Sequence, residues 1–253
     1  MLMMTTWLQR AMLVLFLVFI TLNVFSSSPT STMTTTTPMM MMPPPGHLSN
    51  RTRTLPVRLK VCIESLCVDS RNFFLEQLFP TYTWFGPKFI RLETVIYGNA
   101  VLNQTTGAKI NCQHGAAECD LNTYEQCAID LYHAPSLYLP FLFCMYHSFP
   151  MQTTERLYPT GRVEKCAVEN SLNFTRIATC HDDPKRAQAL DQLAAEQTPP
   201  HNFIPWVEIN GMHNPQAVQR SLAKQICREI IAAGGTHPVC ATWEQTNHAG
   251  QLQ

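Results

Sequence analysis

No cysteine precedes Cys62, yet ten lie between there and Cys240 in a chain of 253 residues. Charge is scarce as well, at 14% of residues, and 18 Lys+Arg against 18 Asp+Glu leave neither net charge nor a basic run. Without such a run nothing is present to neutralise a phosphate backbone, so nucleic acid is excluded as a partner class. The apolar stretch at 11–25 is shorter than the ~20 residues of a bilayer span, and Thr21 and Asn23 interrupt it. With Arg10 before it and Ser26, Ser27 and Ser28 after it, residues 1–28 read as a signal peptide. An uncleaved anchor is the alternative, and only in that case is a membrane a partner.

Residues 29–55 are dominated by Ser, Thr, Pro and Met, a composition that forms no core and reads as a disordered stalk. Residues 241–253 are assigned to a disordered tail. Between them, 56–240 has the length of one domain. Cysteine density in an exported chain points to an oxidising compartment. Three Asn-x-Ser/Thr sequons, at Asn50, Asn103 and Asn173, are candidate glycosylation sites that agree with export.

Val57, Leu59, Val61 and Ile63 alternate with Arg58, Lys60 and Cys62, the period-two signature of a strand ending near Glu64. After Cys67 the period changes: Phe73, Phe74, Leu75, Leu78 and Phe79 recur at helical spacing until Pro80. A second strand at 89–97 completes a βαβ unit. A late strand at 203–209 is followed by a turn at Asn210-Gly211. A terminal helix then starts at Asn214 as N-cap, with Val218, Leu222, Ile226 and Ile230 on one face, and ends at Gly234-Gly235. Residues from about 100 to 198, with helix-like stretches at 124–131 and 186–195, read as a helical insertion stapled by disulfides.

Cys67 falls where the first strand gives way to a helix, so its sulfur faces the unpaired N–H groups of a helix N-terminus, a placement that favours thiolate. A thiolate is what thiol–disulfide exchange requires, and Cys67 is the candidate nucleophile. Ile204-Pro205-Trp206 puts a proline at the start of a late strand, where a central strand has no use for one. A trans edge or turn proline and a cis-proline loop both fit, and the strand–turn–helix context favours cis. Pro205 is then a site residue, with Ile204 and Trp206 flanking it as substrate-binding candidates.

The segment from Cys112 to Cys127, CQHGAAECDLNTYEQC, resembles throughout the signature of the gamma-interferon-inducible lysosomal thiol reductase (GILT) family. VCIESLCVDSRNFF and NFIPWVEING are similar to that family's active-site strand–helix and cis-proline strand, in the same order. The resemblance covers residues 56–240. It implies an α/β, thioredoxin-like fold with a disulfide-rich helical insertion, and a setting that is secreted or in the lysosomal or endosomal lumen. It further implies disulfide reduction, often at acid pH, with Cys67 as the attacking cysteine. The family's usual Cys-x-x-Cys is here Cys-x-x-Ser. Ser70 can hydrogen-bond the thiolate but cannot resolve a mixed disulfide.

Cys62 is a poor substitute as resolver, because five extended residues cover up to ~17 Å whereas a disulfide wants Cα atoms within about 7 Å. Setting aside Cys62 and Cys67 leaves Cys112, Cys119, Cys127, Cys144, Cys166, Cys180, Cys227 and Cys240, an even set suited to structural bridges whose pairing the sequence leaves open. A zinc site from Cys112, His114, Cys119 and Cys127 is the competing reading. It is disfavoured by the spacing and by export, so no metal is assigned. The expected activity is a disulfide reductase without a resident cofactor, its adduct resolved by an external small thiol. Its partners are disulfide-containing proteins and small thiols. The alternatives are a thiol-capture or substrate-binding protein of the same fold, and a disulfide scaffold in which Cys67 is oxidised.

Overall fold

The computed structural model describes residues 56–103, 110–148 and 160–241. The expectations for 1–28, 29–55, Asn50 and the tail beyond Ala241 lie outside those residues. Strand β1 (Val57–Ile63) buries Val57, Leu59, Val61 and Ile63 on one face, as its alternation requires, and Cys62 on the other. It is the pivot of the sheet. On one side it pairs in parallel with β2 (Ile90–Ile96), from Val57 opposite Ile90 to Ile63 opposite Ile96. On the other it pairs antiparallel with β5 (Trp206–Ile209), from Leu59 opposite Ile209 to Cys62 opposite Trp206. Asn210 and Gly211, both at positive φ, turn β5 into β6 (Met212–His213), and the sheet order is β2-β1-β5-β6. A separate pair, β3 (Val101–Leu102) with β4 (Ile110–Asn111), precedes the helical insertion.

The crossover from β1 to β2 does not end at Pro80. Helix α1 (Val68–Phe73) passes through a π-helical turn, Phe74–Leu78, into α2 (Phe79–Phe89). Pro80 stands directly after the π-helical turn, at the start of α2, and the helix runs on through it. The chain bends at Gly86, at φ 63°, ahead of Pro87. Phe73, Phe74 and Leu78 carry this crossover into the main core beneath Val61 and Ile63.

Between β2 and β5 lie α3 (Ala116–Tyr132), α4 (Pro135–Ser148), α5 (Thr160–Glu169), α6 (Phe174–Asp182) and α7 (Pro184–Gln197). Disulfides Cys127–Cys180 and Cys144–Cys166 tie α3 to α6 and α4 to α5, while Cys112–Cys119 closes the loop that opens α3. Cys227–Cys240 fastens the C-terminal segment.

The terminal helix departs from the sequence expectation by breaking in two, α8 (Pro215–Gln219) and α9 (Leu222–Ala232). Ser221 recaps the second piece by accepting from Lys224 N. The backbone groups freed at the break are met by Gln77: its Nε2 donates to Val218 O at 3.0 Å, and its Oε1 accepts from Leu222 N at 2.9 Å.

The Cys127–Cys180 bridge spans a sequence separation of 53 and joins two helices of the insertion. Replacing both cysteines with alanine is expected to lower unfolding free energy by about 2–4 kcal/mol, read from urea titration of the intact and bridge-free chains.

Candidate active site

The turn from Glu64 to Cys67 carries the site. Cys67 is the N-cap of α1, and its Sγ accepts the Ser70 N–H at 3.4 Å. It is a free, half-buried thiol. Ser70 is fully buried, and its Oγ accepts the Glu64 N–H at 3.3 Å, which leaves the hydroxyl hydrogen to face the sulfur. Burial pushes the Cys67 thiol above its usual value. The Ser70 hydroxyl and the N–H groups of Ser70 and Asp69 pull it down, and the Glu64 charge pushes it up again. The net shift is upward, so the helix N-terminus does not by itself make Cys67 a thiolate at neutral pH. Desolvation of the sulfur outweighs the donors.

Glu64 is sealed from solvent three residues before Cys67. Its Oε2 accepts the Asn99 N–H at 2.7 Å, and a Cβ on Gly98, at φ 60°, would stand 2.0 Å from that oxygen. Only glycine lets the chain approach so closely. Burial, with the Glu118 charge second, pushes the Glu64 carboxyl up to about 6.

The Cys112–Cys127 segment buttresses this turn. His114 Nδ1 is hydrogen-bonded to Glu118 Oε2 and lies 3.8 Å from Glu64 Oε1. Gln113 Oε1 accepts from Asn99 Nδ2 at 2.6 Å. Asn122 Oδ1 accepts from Ser65 N at 2.9 Å and from Ser65 Oγ at 2.6 Å. The zinc reading of this segment fails, because Cys112 is bonded to Cys119, Cys127 is bonded to Cys180, and His114 turns to glutamates. Among the described residues, Glu64, His114 and Glu118 do bring three ligand atoms within 4.8 Å of one another, but His114 already bridges the two buried carboxyls.

The Ile204–Pro205 bond is cis. With Cys62 opposite Trp206, antiparallel register carried one step further sets Pro205 level with Ile63, at the end of β1 that leads to Cys67. Ile204 points inward, 5% exposed, and packs with Cys62, Val95 and Tyr97, so the flanking side chains open to solvent are Phe203 and, in part, Trp206. Phe203 was not singled out in the sequence; only its place before a cis-proline could have drawn attention to it. Burial pushes the Cys62 thiol up to about 12, which suits a core residue and not a resolving thiolate. Asn103 and Asn173 are exposed, and Asn173 caps α6. A groove of about 850 Å³ lies over Lys60, Glu93, Tyr138 and Leu193, but neither Cys67 nor Pro205 lines it.

The chain as a whole has counterparts among known proteins. Residues 58–170 match the family model of gamma interferon inducible lysosomal thiol reductase, GILT. That match and the curated GILT relatives support the family. A GILT-like protein of Caenorhabditis elegans is 30% identical over 180 residues, 69% of this chain and 53% of that protein. The Gamma-interferon-inducible lysosomal thiol reductase of Mus musculus is 31% identical over 159 residues, 61% of each. The chain thus spans between half and two thirds of the length of these GILT relatives. Among solved structures, oxidised DsbA of Mycobacterium tuberculosis superposes with a TM-score of 0.54 at 17% identity, covering 81% of this chain and 94% of that one. The fold is thioredoxin-like, of the DsbA kind, mixed α/β and mostly helical.

Removing the Ser70 hydroxyl (Ser70→Ala) is expected to slow iodoacetamide alkylation of Cys67 near neutral pH on the order of fivefold, the effect of one lost hydrogen bond. Glu64→Gln should quicken it. Alkylation rates followed by mass spectrometry across pH check both directions.

Stability carries a second signature of the buried acids. Burial raises Glu64 and Asp191 to about 6 and Glu125 to about 8. Each holds its proton more tightly folded than unfolded, so its contribution is fully present below its ordinary value, 4.5 for glutamate and 3.8 for aspartate. That contribution is lost as pH rises through the folded value. The urea midpoint should fall between pH 5 and pH 8, approximately, and Glu125→Gln should flatten the upper part of that fall.

Proposed function

We propose that this chain is a thiol–disulfide oxidoreductase acting on protein disulfides through Cys67 alone. The observation that carries the reading is a free, half-buried cysteine capping a helix whose N–H and hydroxyl groups face its sulfur, at the strand end that also holds the cis-proline. The Cys67 thiolate attacks one sulfur of a substrate disulfide and forms a mixed disulfide, while the other sulfur leaves as a thiolate and takes up a proton. An external small thiol then attacks the Cys67 sulfur of the adduct, or the substrate sulfur. A second equivalent completes the reduction, so two small thiols become one small-molecule disulfide for each substrate bond reduced. Pro205 presents neighbouring backbone to an extended substrate, with Trp206 beside it and Ile204 contributing main chain. The reaction uses no resident cofactor. Disulfide content favours an oxidising setting, secreted or in the lysosomal or endosomal lumen, and no described helix is long and apolar enough to cross a membrane. Asn103 and Asn173 are the proposed glycan sites in that setting.

A second reading is thiol capture without turnover. Ser70 in place of a resolving thiol and the upward shift of the Cys67 thiol both favour it. The two readings separate in one assay. The purified chain, given a disulfide-bonded peptide and free cysteine near pH 5 and near pH 7, is expected to release reduced peptide repeatedly, and Cys67→Ser to release none. A stable Cys67 adduct that free cysteine does not discharge would select capture instead. Failure to form any adduct through Cys67 would remove both.

A further inference from the structure

Asn99 follows β2, outside every motif read from the sequence, and its side chain joins three segments of the site. Its Nδ2 donates to Gln113 Oε1 at 2.6 Å and to Glu64 Oε1 at 3.5 Å, and its Oδ1 lies 3.1 Å from His201 Nε2. Glu64 belongs to the turn that carries Cys67. Gln113 belongs to the loop closed by Cys112–Cys119. His201 belongs to the segment that runs through Phe203 and Ile204 into Pro205. We propose that Asn99 is a positioning residue that fastens the Pro205 segment to the Cys67 turn, and that the fastening is made by His201 with both ring nitrogens protonated. The proposal rests on the reading of Cys67 and Pro205 as a disulfide-exchange site.

Hydrogen-bond chemistry sets the protonation. His201 Nδ1 is 2.8 Å from the Pro199 carbonyl oxygen, which has no hydrogen to give, so Nδ1 donates. The Asn99 amide is oriented by its other partners: Nδ2 faces a carboxylate oxygen and a carbonyl oxygen, both acceptors, which leaves Oδ1 toward the histidine. Nε2 must therefore donate as well, and a ring that donates from both nitrogens is an imidazolium. Loss of one proton sets two acceptors, Nε2 and Oδ1, against each other, or frees Nδ1 from Pro199. In the first case the tie between the segments is broken; in the second, Nδ1 opposes the Pro199 oxygen 2.8 Å away, which turns the ring that reaches Asn99.

The titratable groups joined to His201 are Glu64 through Asn99, and Glu208 and His213 through Trp206. Trp206 lies 6.4 Å from the His201 ring, donates Nε1–H to Glu208 at 3.1 Å, and stacks on His213 at 3.4 Å.

A polypeptide disulfide that lies along the Pro205 segment feels this tie, whereas a small alkylating reagent meets only the sulfur. The test uses the full chain with its disulfides intact, as wild type and as His201→Ala, His201→Gln and Asn99→Ala. For each, the rate of mixed-disulfide formation with a disulfide-looped peptide is divided by the rate of iodoacetamide alkylation at Cys67, from about pH 5 to about pH 8, the span over which histidine changes charge. The division cancels ionisation of Cys67 itself.

In wild type the ratio is expected to fall on the order of fivefold across that span, the effect of one hydrogen bond. His201→Ala and Asn99→Ala should be low and flat, and His201→Gln, whose amide N–H donor does not titrate, flat and near the wild-type value at low pH. Amide hydrogen exchange at residues 202–204, measured on the same samples, should show protection near pH 5 that His201→Ala loses. A wild-type ratio independent of pH, or a His201→Ala ratio equal to wild type near pH 5, overturns the proposal. If iodoacetamide reacts but no peptide adduct forms at any pH, the exchange reading of Cys67 fails. The hydrogen-exchange result then decides the tie alone: protection lost in His201→Ala supports it, and unchanged protection overturns it.

Discussion

A carboxyl group sealed inside a protein is costly unless its oxygens are met, and Glu64 is sealed at the end of the central strand. The local design follows from that. The chain after β2 must come close enough for the Asn99 N–H to reach the carboxylate, which demands glycine at 98. A histidine must stand over the remaining oxygen, and a second glutamate must hold that histidine. Ser65, next in the turn, needs a side-chain acceptor of its own and finds Asn122 one helical turn beyond Glu118. Cys67 is therefore placed by bonds made two and three residues upstream of it.

Ser70 serves this turn and the sulfur together. Its oxygen takes the Glu64 N–H while its hydrogen faces Cys67, so one buried hydroxyl holds the backbone that carries the acid and also meets the sulfur. The opposing influences on Cys67 are of different kinds. The donors of the helix N-terminus are fixed in place, whereas the Glu64 charge comes and goes with pH. Reactivity of the sulfur depends on a balance that a single side chain can tip.

Where the sequence was informative, the signal was local. Alternation in β1, the apolar run of β2 and the Asn210-Gly211 turn each depend on neighbours within a few residues, and these were legible; the strand order, β6 and the β3–β4 pair were not, and the late strand expected from 203 begins at Trp206. The helix that passes Pro80 was not legible, since a proline in an apolar helical pattern reads as its end, whereas here a π-helical turn stands directly before it and the helix runs on. The break between α8 and α9 was not legible either, because the side chain that satisfies it, Gln77, is 141 residues from Val218 and 145 from Leu222. At the site, Cys67, Ser70 and Pro205 announce themselves by type and context. Of the two carboxyl partners of His114, Glu118 is one helical turn away but Glu64 is 50 residues back in the chain, and no local pattern joins it to the histidine. Asn99 carries no motif at all.

The position of β1 between β2 and β5 has a consequence for how the chain is made. Residues emerge in order, and β2 can pair with β1 soon after synthesis, but the partner on the other side begins only at Trp206. At about 5–20 residues per second, the intervening segment takes on the order of ten seconds or more to appear. Through that interval one edge of the strand leading to Cys67 is an open template for any other extended chain. Every cysteine of the insertion bridges emerges before β5 does, so the last strand closes onto a half-built sheet whose neighbouring helices are already in hand.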